Sequence, residues 1–191
     1  MTAACVYIGE ELARYGFGQG HPFGPDRMGV FWQAAQSAGL ESRVTVCPPV
    51  MADRNSIERF HTAGSVDRVI GQSATGSGYL DLGDTPAFPG VYEAAAYVVG
   101  SVLDAIDQVM AGRCSRAFVP IAGLHHARRD SAAGSWVYND CGVAIETLPL
   151  VHGLRRDAND YLHAPHGHGV FYAFEDDTDL RVADLHADGR S

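Results

Sequence analysis

One stretch limits the fold more than any other: VYEAAAYVVGSVLDAIDQVMAG, residues 91–112. Val91, Ala95, Val98, Val102, Ile106 and Val109 recur at steps of three and four, the spacing of one helix face, and Gly112 supplies a stop. RAFVPIAG (116–123) follows almost at once and reads as a buried strand. Before the helix lies QSATGSGYLDLGDTPAFPG (72–90), the longest structureless segment, and long loops in compact domains are usually functional or disordered.

The same alternation runs through the chain. AACVYI (3–8), SRVTVC (42–47) and LRVADLH (180–186) read as strands. Asp26 is placed to cap a helix running to about Ala38, with Gly39 as its stop. Asp53 or Asn55 caps SIERFH, SVDRVI reads as another short helical piece, and residues 139–148 look helical until Pro149 interrupts them. Strands alternating with helices point to an α/β fold with a mainly parallel sheet. The length fits a single domain, 1–191, and the sequence shows no internal repeat or linker.

A net charge of −9 counts against general affinity for nucleic acid or anionic membranes, while an acidic rim would favour a cationic substrate. No apolar run reaches the ~20 residues of a membrane span. MTAACVYIGEEL lacks the basic start of a signal peptide, so a cytoplasmic location is the expectation. Cys5, Cys47, Cys114 and Cys141 form no CxxC pair and read as buried thiols. GFGQG lacks the Lys-Ser/Thr that a phosphate loop needs.

Two histidine clusters remain. In open α/β sheets ligands bind beyond the carboxyl ends of strands, which is where AGLHHARRDSAAG places His125 and His126 after the strand at 116–121. A glycine-flanked turn aims both imidazoles at one cleft, and such a pair divides proton removal and donation between two rings. HAPHGHG (163–169) offers His163, His166 and His168 as metal ligands, neutral imidazole being the commonest protein ligand for zinc. H-x2-H-x-H is not a strong zinc signature, because loop geometry decides whether the rings converge.

GLHHARRDSAAGSWVYNDCGVAIE resembles the signature of the metal-dependent histone deacetylase family, its acetoin-utilisation and acetylpolyamine amidohydrolase branches above all. YGFGQGHPFGPDR, RFHTAGSVDRV, GDTPAFPGVYEAA and HGHGVFYAFEDD continue the resemblance in family order. It implies the arginase/deacetylase α/β fold, a mainly parallel sheet flanked by helices. The implied chemistry is zinc-dependent hydrolysis of an acetyl-lysine or acetylpolyamine amide. On this carry-over His125 and His126 are the catalytic dyad, and Asp84 is the rim group that holds the substrate backbone or amine. Arg27 lines the internal channel beneath the site; Ser135 and Trp136 stand at the wall of the acyl-lysine tunnel.

The resemblance also exposes departures. Where the family carries a motif resembling D-x-D-x-H-H-G-D-G, this chain reads YLHAPHGHG, residues 161–169. His163 stands at a ligand aspartate, Pro165 at a ligand histidine, and Tyr161 and His168 at the acids that orient the dyad. Proline has no lone pair to offer, and losing orienting carboxylates lowers imidazole basicity. RRDANDYL (155–162), the strand expected before this motif, carries four charges and little β-propensity. The family's third ligand and its tyrosine have no counterpart before the end of the sequence, so the fold is expected to be truncated at its C-terminal side. Two readings follow. One is an amidohydrolase impaired as an isolated chain, its ligands completed by His163, His166 and His168 or by a second chain. The other is a non-catalytic homologue that oligomerises or binds a completing partner.

Overall fold

The computed structural model describes residues 4–18, 20–154, 157–162 and 168–185. Three strands form a parallel sheet in the order β2-β1-β3: β1 Cys5–Tyr7, β2 Thr45–Cys47 and β3 Ala117–Phe118. Cys5 pairs with Thr45 on one side and Ala117 on the other. A second parallel pair joins β4 Asp157–Leu162 to β5 Leu180–Leu185, with Asp157 opposite Leu180.

Among the described residues seven helices accompany these strands: α1 Glu10–Ala13, α2 Arg27–Ser37, α3 Arg54–Ile57, α4 Ala63–Thr75, α5 Val91–Met110, α6 Asp140–His152 and α7 His168–Phe171. Local chemistry sets their starts. The Asp53 carboxylate accepts from Ser56 N, the Thr62 hydroxyl from Ser65 N and the Asn139 amide oxygen from Gly142 N. Asp53 therefore caps α3, and SVDRVI is part of a thirteen-residue helix. Asp26 precedes α2, but its side chain makes no capping bond.

The long helix α5 packs against α1, α4, α6 and β3. Its N-terminal half is mostly buried, with Val91, Val98 and Val99 wholly covered. Segment 50–52 crosses it so closely that a Cβ on Gly100 would strike Val50 O and Ala52 N, and Ala52 N donates to Ala96 O at 3.0 Å. The rest of the core gathers Tyr7, Leu12, Tyr15, Ile57, Val66, Tyr138 and Val143 around it. No helix among the described residues is long and apolar enough to cross a membrane.

Four expectations need correction. Strand 42–47 shrinks to Thr45–Cys47, because Glu41–Arg43 winds into a 3-10 turn. The buried strand at 116–123 is two residues long and borders the sheet among the described residues; Phe118 is 51% exposed. Pro149 does not interrupt α6. It sits exposed in the last turn, where its missing N–H costs one helical bond and only Leu150–His152 follow it, and left-handed Gly153 closes the helix with Leu154 N returning to Leu148 O. The charged segment before HAPHGHG does form a strand, because backbone pairing with β5 overrides weak propensity. All four cysteines are free; Cys5 and Cys114 are buried, Cys47 and Cys141 partly so.

Candidate active site

His125 and His126 lie in the turn that follows β3, their ring centroids 4.6 Å apart. His125 is buried and His126 partly exposed. Adjacent residues normally diverge, so something must hold this turn. Asp140, only 1% exposed, accepts from Gly123 N at 2.8 Å and Leu124 N at 2.9 Å. Asn139 donates its amide hydrogens to His125 O at 3.1 Å and Ala127 O at 2.8 Å while its oxygen caps α6. The carbonyls on both sides of His126 and the amides ahead of His125 are thus fixed to one helix N-terminus. Burial pushes the Asp140 carboxyl above its usual range against the pull of those two N–H groups.

Gly169 closes the turn from below. A Cβ there would run into His125 O, Ala127 O and the His126 backbone, so the last residue of HAPHGHG touches the dyad. His61 supports Asn139: its Nε2 accepts from Asn139 N at 2.9 Å, which places the ring proton on Nδ1. Burial pulls its pKa down to about 4, so it stays neutral.

Ser135 and Trp136 come from a two-residue hairpin. Ala133 and Trp136 exchange both backbone hydrogen bonds at 3.0 Å, and Gly134 and Ser135 between them have φ of 60° and 75°. A non-glycine residue in that region is strained, and Ser135 is held there from every side. Its N–H donates to Thr85 Oγ1 at 3.0 Å, and its carbonyl accepts from Tyr15 OH at 2.9 Å. Its hydroxyl lies 3.1 Å from His21 Nε2 and donates to Asp84 O at 3.3 Å. The hairpin lays the Trp136 indole over His126, centroids 3.8 Å apart and planes 35° apart, and within 5.1 Å of His125.

The rim loop is built on Asp81. Its Oδ1 accepts from Gly83 N, Asp84 N and Thr85 N at 2.8–2.9 Å and its Oδ2 from Thr85 Oγ1 at 2.5 Å. Partial burial raises its pKa, but these bonds outweigh it and hold the carboxyl below the ordinary range. Thr85, wholly buried, thereby joins the rim to the Ser135 hairpin.

The structure thus brings His125, His126, Ser135 and Trp136 together and attaches Asp84 through its backbone. Arg27 reaches them at one remove: its guanidinium lies 4.3 Å from the Phe23 ring centre, and Phe23 meets Trp136 edge-on at 6.3 Å. His163 and His166 lie outside the described residues; His168 opens α7, its side chain outside them. Among the described residues no three His, Cys, Asp or Glu side chains are grouped to hold a metal. Sequence reasoning passed over Asn139, Asp140, Asp81 and Gly169. Asn-Asp ahead of an apolar helical run is a capping signal that marks the first two; the others have none.

The histone deacetylase domain model matches residues 21–191. The acetoin utilization protein AcuC of Bacillus subtilis is 32% identical over 183 residues, covering 92% of this chain and 47% of that protein. The histone deacetylase-like amidohydrolase of Pseudomonas aeruginosa is 29% identical over 89% of this chain and 45% of its own length. The chain thus spans about half the length of the curated relatives it matches. The crystal structure of the HDA15 HD domain superposes with a TM-score of 0.88 at 22% identity, over 97% of this chain and 54% of that one. The fold is therefore shared with that domain, and this chain belongs to the histone deacetylase domain family.

Proposed function

We propose that the chain carries the proton-transfer centre of a histone-deacetylase-like amidohydrolase acting on acetyl-lysine or acetylpolyamine amides, with turnover impaired in this chain by itself. One observation carries the reading. The His125–His126 turn is locked by Asn139 and Asp140, and a pair held in this way is preorganised for general acid–base work. One imidazole takes the proton of an attacking water and the other returns a proton to the departing amine. Trp136 and Ser135 wall the approach, Asp84 orients the substrate at the rim, and Arg27 backs the site through Phe23.

Family chemistry adds a zinc ion that polarises the acyl carbonyl. The donors here do not match that set. Proline occupies one ligand position, and the described residues supply no group of three donors. His163, His166 and His168 are the remaining candidates to hold the ion. The four free thiols fit a reducing, cytoplasmic setting.

A second reading, a non-catalytic partner subunit, is favoured by a different observation. An apolar groove of about 470 Å³ lies between α5, β3 and α6, lined by Val102, Ile106, Val109, Met110 and Phe118. Such a surface suits a second copy or a completing chain. Metal analysis of the purified chain, beside hydrolysis of acetyl-lysine and acetylpolyamine substrates, separates the two. Turnover abolished by His126→Ala supports the enzyme. A chain that stays inert after zinc is added overturns it and leaves the partner reading.

A further inference from the structure

We propose that the depression beside the Asp84 loop is a carboxylate-reading subsite, so that the preferred ligand is an acetylated amine bearing a free carboxylate, of the Nε-acetyl-lysine type, and not a polyamine. The inference rests on the reading of His125–His126 as the reacting centre. The depression measures about 550 Å³, and Leu80 and Ala132 lie along it with Tyr79, Asp84, Arg68 and Arg128.

The charges around it are unequally committed. Asp81 lines it too, but both its oxygens are consumed inside the rim loop. Arg68 has one long contact, 3.4 Å to Asp130 O, and the Arg128 guanidinium makes no hydrogen bond or ion pair among the described residues. Two guanidinium groups therefore face one available carboxylate, that of Asp84. In a chain of net charge −9 this balance of two arginines against two aspartates departs from the overall excess of acid. Guanidinium binds carboxylates through paired N–H donors, and the carboxylate of Asp84 takes an N–H. A carbon that carries both an amide or ammonium nitrogen and a carboxylate satisfies both at once. A polyamine offers only positive charge and leaves both guanidinium groups without an anion.

The subsite is connected to the dyad. The Ser135 hydroxyl donates to Asp84 O, and the next residue lays its indole on His126. The rim that holds the ligand's α-carbon is thereby tied to the hairpin that covers the imidazoles.

Isothermal titration of the full chain with Nε-acetyl-lysine, its α-carboxamide and N-acetylputrescine tests the proposal. The acid is expected to bind about tenfold more tightly than the carboxamide, the size of one charge-assisted pair, with N-acetylputrescine weakest. Arg128→Gln should remove most of the gap between acid and carboxamide, and Asp84→Asn should weaken both alike. Both positions are exposed, and circular dichroism checks that the fold is kept. Equal binding of acid and carboxamide, or a gap that survives Arg128→Gln combined with Arg68→Gln, overturns the subsite and leaves the dyad reading standing. No binding by any of the three overturns both.

Discussion

Two aspartates organise the two loops that meet at the candidate site, under opposite conditions. Asp140 is almost wholly buried and receives two backbone N–H groups beside the dyad. Asp81 is half-buried and receives three, plus a hydroxyl, at the rim. By bond count the rim is held harder. Burial reverses that ranking, because water can replace Asp81 as acceptor for the exposed Gly83 and Asp84 amides, whereas Asp140 and its donor Leu124 are both buried.

Asp140→Ala is therefore the severest test and should remove on the order of 4 kcal/mol, read as a shift of the denaturation midpoint. Asp81→Ala should fall well short of this; equal losses would break the comparison. Acid should separate the two regions next. The His61 value of about 4 lies below the 6.5 of a free imidazole, so the unfolded chain takes up the proton first. Stability on the dyad side is then lost as pH falls from 6.5 toward 4, by on the order of 3 kcal/mol. Asp140, whose value is raised, acts in the opposite sense as it ionises. The His61 share is thus the pH dependence missing from a His61→Asn variant. The rim, with the Asp81 value lowered, should hold until pH falls through the carboxylate range below 3.8.

Gly169→Ala should cost about 2 kcal/mol by pressing on a backbone that cannot yield, with shifted His125 and His126 ring resonances as its signature. Loss of stability without a shift at the dyad would remove Gly169 from the site. Asp81→Ala itself should cost about 1 kcal/mol and leave the dyad resonances in place. Ser135→Gly should change stability least, by about 0.5 kcal/mol or less: relief of the positive φ offsets the lost hydroxyl bonds.

Much of this was legible in the residues. The stripe on α5, the cap at Asp53 and the turn after β3 are short-range patterns, and the likeness around GLHH located the dyad. The edges of the reading failed where a neighbour decides. Segment 157–162 has weak strand propensity and pairs nonetheless with β5. Residues 116–123 look like a buried strand and yield two paired residues at the border of a sheet. Pro149 looks like a helix stop and lies in a last turn that tolerates it.

What the sequence determined by itself was periodicity, capping and the residue types available: an α/β chain with two adjacent histidines after a strand, and a proline within HAPHGHG. Only the tertiary structure decided what those histidines rest on. The contacts that hold them join Asp140 to Gly123, Asn139 to Ala127, Ser135 to Thr85 and Gly169 to His125. Helix and strand periods report which face of an element is apolar. They carry no information about which distant backbone amide will be buried without water, and that shortage is what assigns Asp140 its partners.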